Sequence, residues 1–133
     1  MDSTEITVRT DQTLVTDLTG EVEQFCRRRG DGLLNVFVPH ATAGVALMET
    51  GSGSESDLAD ALERLLPDAE VYRHRHGSHG HGRDHVLPVF VAPSLSLPVL
   101  GGRPALGTWQ SVVLVDSNGD NPMRTVRLSF LPA

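Results

Sequence analysis

Leu33-Leu34-Asn35-Val36-Phe37-Val38-Pro39-His40-Ala41-Thr42-Ala43-Gly44-Val45-Ala46-Leu47-Met48-Glu49 is a pair of apolar runs joined by a Pro/Thr/Gly turn. Both runs, Leu33 to Val38 and Val45 to Met48, have strand length and the continuous apolar character of strands covered on both faces. The turn between them carries His40, and Glu49 follows the second run. Side chains mounted at strand ends are held rigidly, which is what chemistry requires.

Working outward, Glu5 to Arg9 alternates as an opening strand, and Leu14 and Val15 begin another. From Asp17 the spacing changes to Leu18, Val22, Phe25 and Cys26, the stripe of a helix. Its acidic residues come early and Arg27, Arg28 and Arg29 late, with Gly30 or Gly32 available to end it. Cys26 falls on the buried stripe and reads as packing. Gly51-Ser52-Gly53-Ser54 opens a second helix, with Ser54 and Asp57 as a capping pair and Leu58, Ala61, Leu62 and Leu65 as the buried face, stopped by Pro67. A glycine-rich turn at a helix start has N–H groups that suit phosphate, or it is an ordinary capped connection. Val86 to Val91 fits a strand by its β-branched residues, while Pro88 restricts it to a strand edge or a first helical turn. Leu95 to Val99, Trp109 to Val115 and Thr125 to Leu131 read as further strands. The expected class is α+β with mostly antiparallel packed sheets and two to three helices, in one domain spanning 1–133.

Composition narrows the function. The net charge of −6 disfavours nucleic acid and anionic membrane as partners. No apolar run has the length of a membrane helix, and the acidic start lacks a secretory-signal pattern. A single cysteine fits the reducing cytoplasm. All eleven basic residues are arginine. Schiff-base chemistry and lysine general bases are thereby removed.

The segment 73–85, Arg-His-Arg-His-Gly-Ser-His-Gly-His-Gly-Arg-Asp-His, contains five of the six histidines and no apolar side chain. Imidazole is the commonest transition-metal ligand, and a catalytic site typically takes three protein ligands. His40 from its strand end, with His74 and His85 from the borders of the segment, make the candidate set. Equally, His40 reads as a hydrogen-bonded structural histidine. His76, His79 and His81 read as a polar surface loop. Glu49, Asp116 and Asp120 lie at predicted strand ends, where carboxylates act as bases or hold a cation.

Pro39-His40-Ala41-Thr42-Ala43-Gly44-Val45 with Glu49 resembles a motif of the YjbQ-like family, the secondary thiamine-phosphate synthases. The likeness continues through Tyr72-Arg73-His74, His85, Pro93-Ser94 and Gly102-Arg103, and through Leu106-Gly107-Thr108-Trp109-Gln110 to Asp116. The resemblance implies a homotrimer without nucleic-acid or membrane partners. It implies a divalent metal on His40, His74 and His85, zinc by its ligands or magnesium if a diphosphate substrate brings it. The implied reaction joins hydroxymethylpyrimidine diphosphate to hydroxyethylthiazole phosphate with loss of diphosphate. His40, Glu49, Gln110 and Asp116 then take catalytic places, and Thr42, Ser94, Arg103, Trp109 and Arg124 face substrate. Two alternatives stand beside it: a metal-dependent hydrolase of a small phosphorylated or heterocyclic metabolite, and a non-catalytic trimeric metal-binding module. The chain departs from the family pattern at Met48, His81, Asp84, Pro88, Ala92 and Met123.

Overall fold

The computed structural model describes residues 1–69, 71–74 and 81–133. Its elements run β1 (Asp2–Arg9), β2 (Val15–Asp17), α1 (Thr19–Cys26), β3 (Gly32–Phe37), β4 (Ala43–Met48), α2 (Ser54–Leu65), α3 (His81–Asp84), α4 (Leu87–Phe90), β5 (Ser94–Leu100), β6 (Arg103–Pro104), β7 (Ser111–Asp116) and β8 (Met123–Pro132). Five strands form one sheet in the order β1-β8-β3-β5-β6, and three form another in the order β2-β7-β4. Every strand pairing is antiparallel. The α+β class read from the sequence is the one observed.

The two apolar runs around His40 enter different sheets, so they do not form a hairpin. The first is covered on one face only. Leu34 and Val36 point inward, whereas Leu33 and Phe37 remain 43% and 37% exposed on the outer side. The strand sealed on both faces is β7. Val112 and Leu114 join Leu34, Val36, Leu97, Val126 and Leu128 between the two sheets, together with Val22, Phe25 and Cys26 of α1. Val113 and Val115 turn the other way, toward Leu62 and Leu66 of α2 and Leu87 of α4. Strand alternation thus gives one strand to two cores.

Local signals explain the helices and two differences from expectation. The Asp17 carboxylate accepts the Thr19 N–H at 2.8 Å and fixes the start of α1. The helix ends at Cys26, before the glycines, because Arg28 itself takes the left-handed conformation at φ 65°. At α2 the cap is Gly53, not Ser54. The Glu55 carboxylate reaches back to the Gly51 N–H at 2.7 Å, so a side chain already occupies part of the turn once considered for phosphate. The buried stripe is Leu58, Leu62 and Leu66, while Leu65 is exposed. Val86 to Val91 is helical, with Pro88 in the first turn of α4, where its missing N–H costs nothing. Trp109 lies on a turn before β7 and is 74% exposed. No helix among the described residues is long and apolar enough to cross a membrane.

The crossing of β4 over the α4–β5 connection needs a glycine. The Val45 N–H donates to the Ala92 carbonyl at 2.8 Å, and a Cβ on Gly44 would lie 1.8 Å from the Val91 carbonyl oxygen. Gly44→Ala is therefore expected to destabilise the fold by about 3 kcal/mol in urea unfolding. A change within about 0.5 kcal/mol, the range of neutral surface substitutions, would mean that the crossing has slack.

Candidate functional site

The sequence His81-Gly82-Arg83-Asp84-His85 is a single helical turn followed by one residue, and its i,i+4 spacing puts both histidines on one face. Their Nε2 atoms lie 2.9 Å apart. His74 packs over them, its ring stacked on His85 at 4.3 Å between centroids and tilted against His81 at 5.2 Å. That approach depends on Gly82, since a Cβ there would fall 2.5 Å from the Tyr72 Cβ and 3.5 Å from the His74 Cβ. One ring nitrogen from each of the three histidines falls within 4.8 Å of the others.

Carboxylates surround the histidine that the sequence reading left as surface. His81 Nδ1 is 3.5 Å from Asp120 Oδ2 and 3.9 Å from Asp84 Oδ2. Asp84 is buried, and burial pushes its carboxyl above the usual carboxylate range. The Ser117 hydroxyl, donating to it at 2.6 Å, opposes that shift. Arg83 ties the turn to α2 by donating to Glu63 at 2.7 Å and to the Leu66 carbonyl at 3.2 Å. On the other side the loop after β7 is stiffened by its own side chains. Asp116 accepts the Asn118 N–H at 2.9 Å, and Asn118 accepts the Asp120 N–H at 2.8 Å.

His40 has a different occupation. Pairing of β3 with β8 stops at Phe37 and Arg127, and His40 Nε2 accepts the next available amide, Thr125 N–H, at 2.9 Å. An N–H donated to that nitrogen requires a lone pair on it, hence the neutral ring. Burial, then the nearby Arg124 charge, hold His40 below the ordinary histidine range, against the pull of Asp116. Among the described residues, the cluster of converging ligand atoms does not include His40. The expected set of His40, His74 and His85 is thus corrected at its first member. The structure gathers His74, His81 and His85, and His40 extends a strand ladder with its ring.

The remaining predicted residues divide between the two ends of β7. At one end Asp116 and Arg124 form an ion pair with side chains 1% and 4% exposed. Arg124 Nη2 also lies 3.4 Å from the Thr42 hydroxyl, and Thr42 is buried. Asp116, Arg124 and Thr42 thus turn toward one another as supports of the His40 turn. Ser94 sits on the outer face of the larger sheet, accepting from Asn35 Nδ2 at 2.9 Å. Ala43 pairs with Asp116 and Met48 with Ser111, so Glu49, Trp109 and Gln110 lie at the opposite end, and Arg103 shares a cleft with Gln110. Six strand residues separate the ends by roughly 17 Å. One chain does not bring Glu49, Arg103, Trp109 or Gln110 to the imidazoles. His76 and His79 lie outside the described residues.

The signal for His81 was present in the sequence as His-x-x-x-His. It was passed over because the surrounding glycines and charges read as a loop. Its value depends on the four-residue helix that Leu66, Arg83 and the Asp84–Ser117 bond hold in place.

Comparison with known proteins follows the same outline. The model of the family "UPF0047 protein YjbQ-like" matches residues 4–133. A UPF0047 protein of Mycobacterium tuberculosis is 62% identical over 131 residues, covering 98% of each chain. One from Archaeoglobus fulgidus is 31% identical over 92% of this chain and 96% of its own. The crystal structure of a hypothetical protein from Aeropyrum pernix superposes with a TM-score of 0.89 at 33% identity, covering all of both chains. A Sulfolobus solfataricus protein described as of unknown function shares the fold, with a TM-score of 0.90 at 24% identity over 99% of this chain and 97% of its own.

Two measurements check the supports. Because His40 is held below its unfolded value near 6.5, the unfolded chain binds the extra proton first as pH falls, and stability drops through that window. Between about pH 7.5 and about pH 5.5, His40→Gln is expected to lose part of the acid-induced fall in urea midpoint shown by the unaltered chain; an unchanged slope would contradict the assignment. Asp116→Ala is expected to cost about 3–5 kcal/mol by stranding the buried Arg124, and Asp116→Leu with Arg124→Met together to cost less than the single change.

Proposed function

The chain belongs to the YjbQ-like UPF0047 family, and from that membership and its converging imidazoles we propose a metal-dependent transferase of the thiamine-phosphate synthase kind. The observation that carries this reading is the placement of three imidazole nitrogens within 4.8 Å, two of them on one helical turn. Such a donor set suits a divalent ion of the zinc type, with one position left for a substrate oxygen. His74, His81 and His85 would hold it. Asp120 and Asp84, beside His81 Nδ1, would fix that ring's orientation and tautomer, the usual part of carboxylates behind metal-binding histidines.

In the reaction proposed, the bond between the pyrimidine methylene and its diphosphate breaks. A new bond forms from the thiazole nitrogen to that carbon, and diphosphate leaves. The bound cation would supply charge stabilisation on the leaving diphosphate. The chain's own part is to bind, orient and exclude water. The Asp116–Arg124 pair and the Asx turns after β7 hold Asp120 beside His81, and α4 closes the apolar side through Leu87. A homotrimer belongs to this reading. Only another copy can bring a Glu49 and Gln110 end to this chain's imidazoles, and Leu33, Leu100 and Leu131 leave apolar surface exposed on the larger sheet.

The test is release of diphosphate from hydroxymethylpyrimidine diphosphate by zinc-loaded protein. Release is expected only with hydroxyethylthiazole phosphate present, and His85→Ala is expected to lower it at least about a hundredfold. Release without the thiazole would identify a hydrolase. No release from well-loaded protein would leave a non-catalytic metal-binding module.

A further inference from the structure

At the end of β7 far from the imidazoles, a cleft of about 740 Å³ is lined by Arg27, Arg28, Arg103, Thr19, Thr108 and Gln110, among others. The size suits a small metabolite. It is built by docking the Gly101–Gly102 turn onto the chain that leaves α1. Gly102 N–H donates to the Gly30 carbonyl at 2.9 Å, and Gly101 N–H to the Asp31 carboxylate at 2.7 Å. A Cβ on Gly102 would press to 3.3 Å from both the Arg28 nitrogen and the Cys26 carbonyl oxygen. Arg28 holds a left-handed backbone, φ 65°, which costs a residue with a side chain about 1 kcal/mol. That turn lets consecutive arginines line one cleft.

The charge of the cleft runs against the chain as a whole. The protein carries −6, yet three guanidiniums meet here against the single carboxylate of Glu23. Arg29, beside them, is paired with Asp2. By contrast, no carboxylate among the described residues comes within ion-pairing distance of Arg27, Arg28 or Arg103. Three unneutralised planar forks around a concavity are a phosphate-recognising arrangement. Trp109 stands between two lining residues, 74% exposed, as a ring on which a heterocycle can stack.

We propose that this cleft binds the phosphate or diphosphate of a small heteroaromatic metabolite, on Arg27, Arg28 and Arg103 with Trp109 at the rim. It goes beyond the transferase reading and does not depend on it. It lies roughly 17 Å along β7 from the imidazole cluster and needs no metal.

Trp109 is the only tryptophan, so its emission reports on the rim directly. Metal-stripped protein titrated with adenosine monophosphate is expected to show a saturable emission change, reversed by inorganic diphosphate, with adenosine at least about tenfold weaker. Arg28→Ala and Arg103→Ala should each weaken binding about tenfold, while Arg64→Ala, on the exposed side of α2, should leave it unchanged. Three outcomes would overturn the proposal: no saturable change at millimolar ligand, full binding by the Arg27/Arg28/Arg103→Ala triple variant, or binding that requires added zinc.

Discussion

Strand β7 has nowhere to put a polar side chain. Val112, Val113, Leu114 and Val115 are all fully buried, alternately toward the space between the sheets and toward the helical layer. Each such burial contributes roughly 1.5–3 kcal/mol relative to exposure, so the strand is the costliest element to disturb. That constraint pushes everything chemical in the motif around it to the strand's ends. Gln110 and Trp109 are left at the start and Asp116 at the finish. The same register, carried across to β4, separates Glu49 from the His40 turn.

At the Asp116 end, electrostatics take over from packing. A buried carboxylate facing a buried guanidinium is a poor source of net stability but a strong constraint on geometry, since losing either partner strands the other. Asp116 uses one oxygen for Arg124 and the other for the Asn118 amide, which begins the succession of side-chain turns that sets Asp120 beside His81. Ser117 in the same loop holds Asp84, on the same helical turn as His81. His81 is therefore bracketed by carboxylates from two directions, while His74 reaches it across the missing side chain of Gly82. Histidines at i,i+4 converge on one point only when the turn carrying them is rigid, and these supports supply the rigidity.

The sequence made the class of fold legible because strand alternation and the α1 stripe are strong local signals. Val126, Leu128 and Phe130 against Thr125, Arg127 and Ser129 read correctly, as did Leu18, Val22, Phe25 and Cys26. What failed were inferences that need a third dimension. Leu33 to Val38 looked sealed on both faces, yet nothing in the described chain covers the side of Leu33 and Phe37. His40 looked like a ligand because a strand end presents it, whereas its partner, the Thr125 amide, is 85 positions away. His81 was discounted because four residues of helix leave too short a pattern to see. Arg103 and Trp109 were grouped with the histidines by their shared family motif, although motif order in the sequence does not report which end of β7 a residue occupies.

The central claim is that His81, not His40, completes the imidazole set. A crystal soaked in zinc at modest excess, with data on both sides of the zinc absorption edge, addresses it most directly. The account predicts one strong anomalous peak within bonding distance of His74, His81 and His85, unaffected by His40→Gln and lost in His81→Ala. A peak on His40, or a peak that survives His81→Ala unchanged, would contradict it.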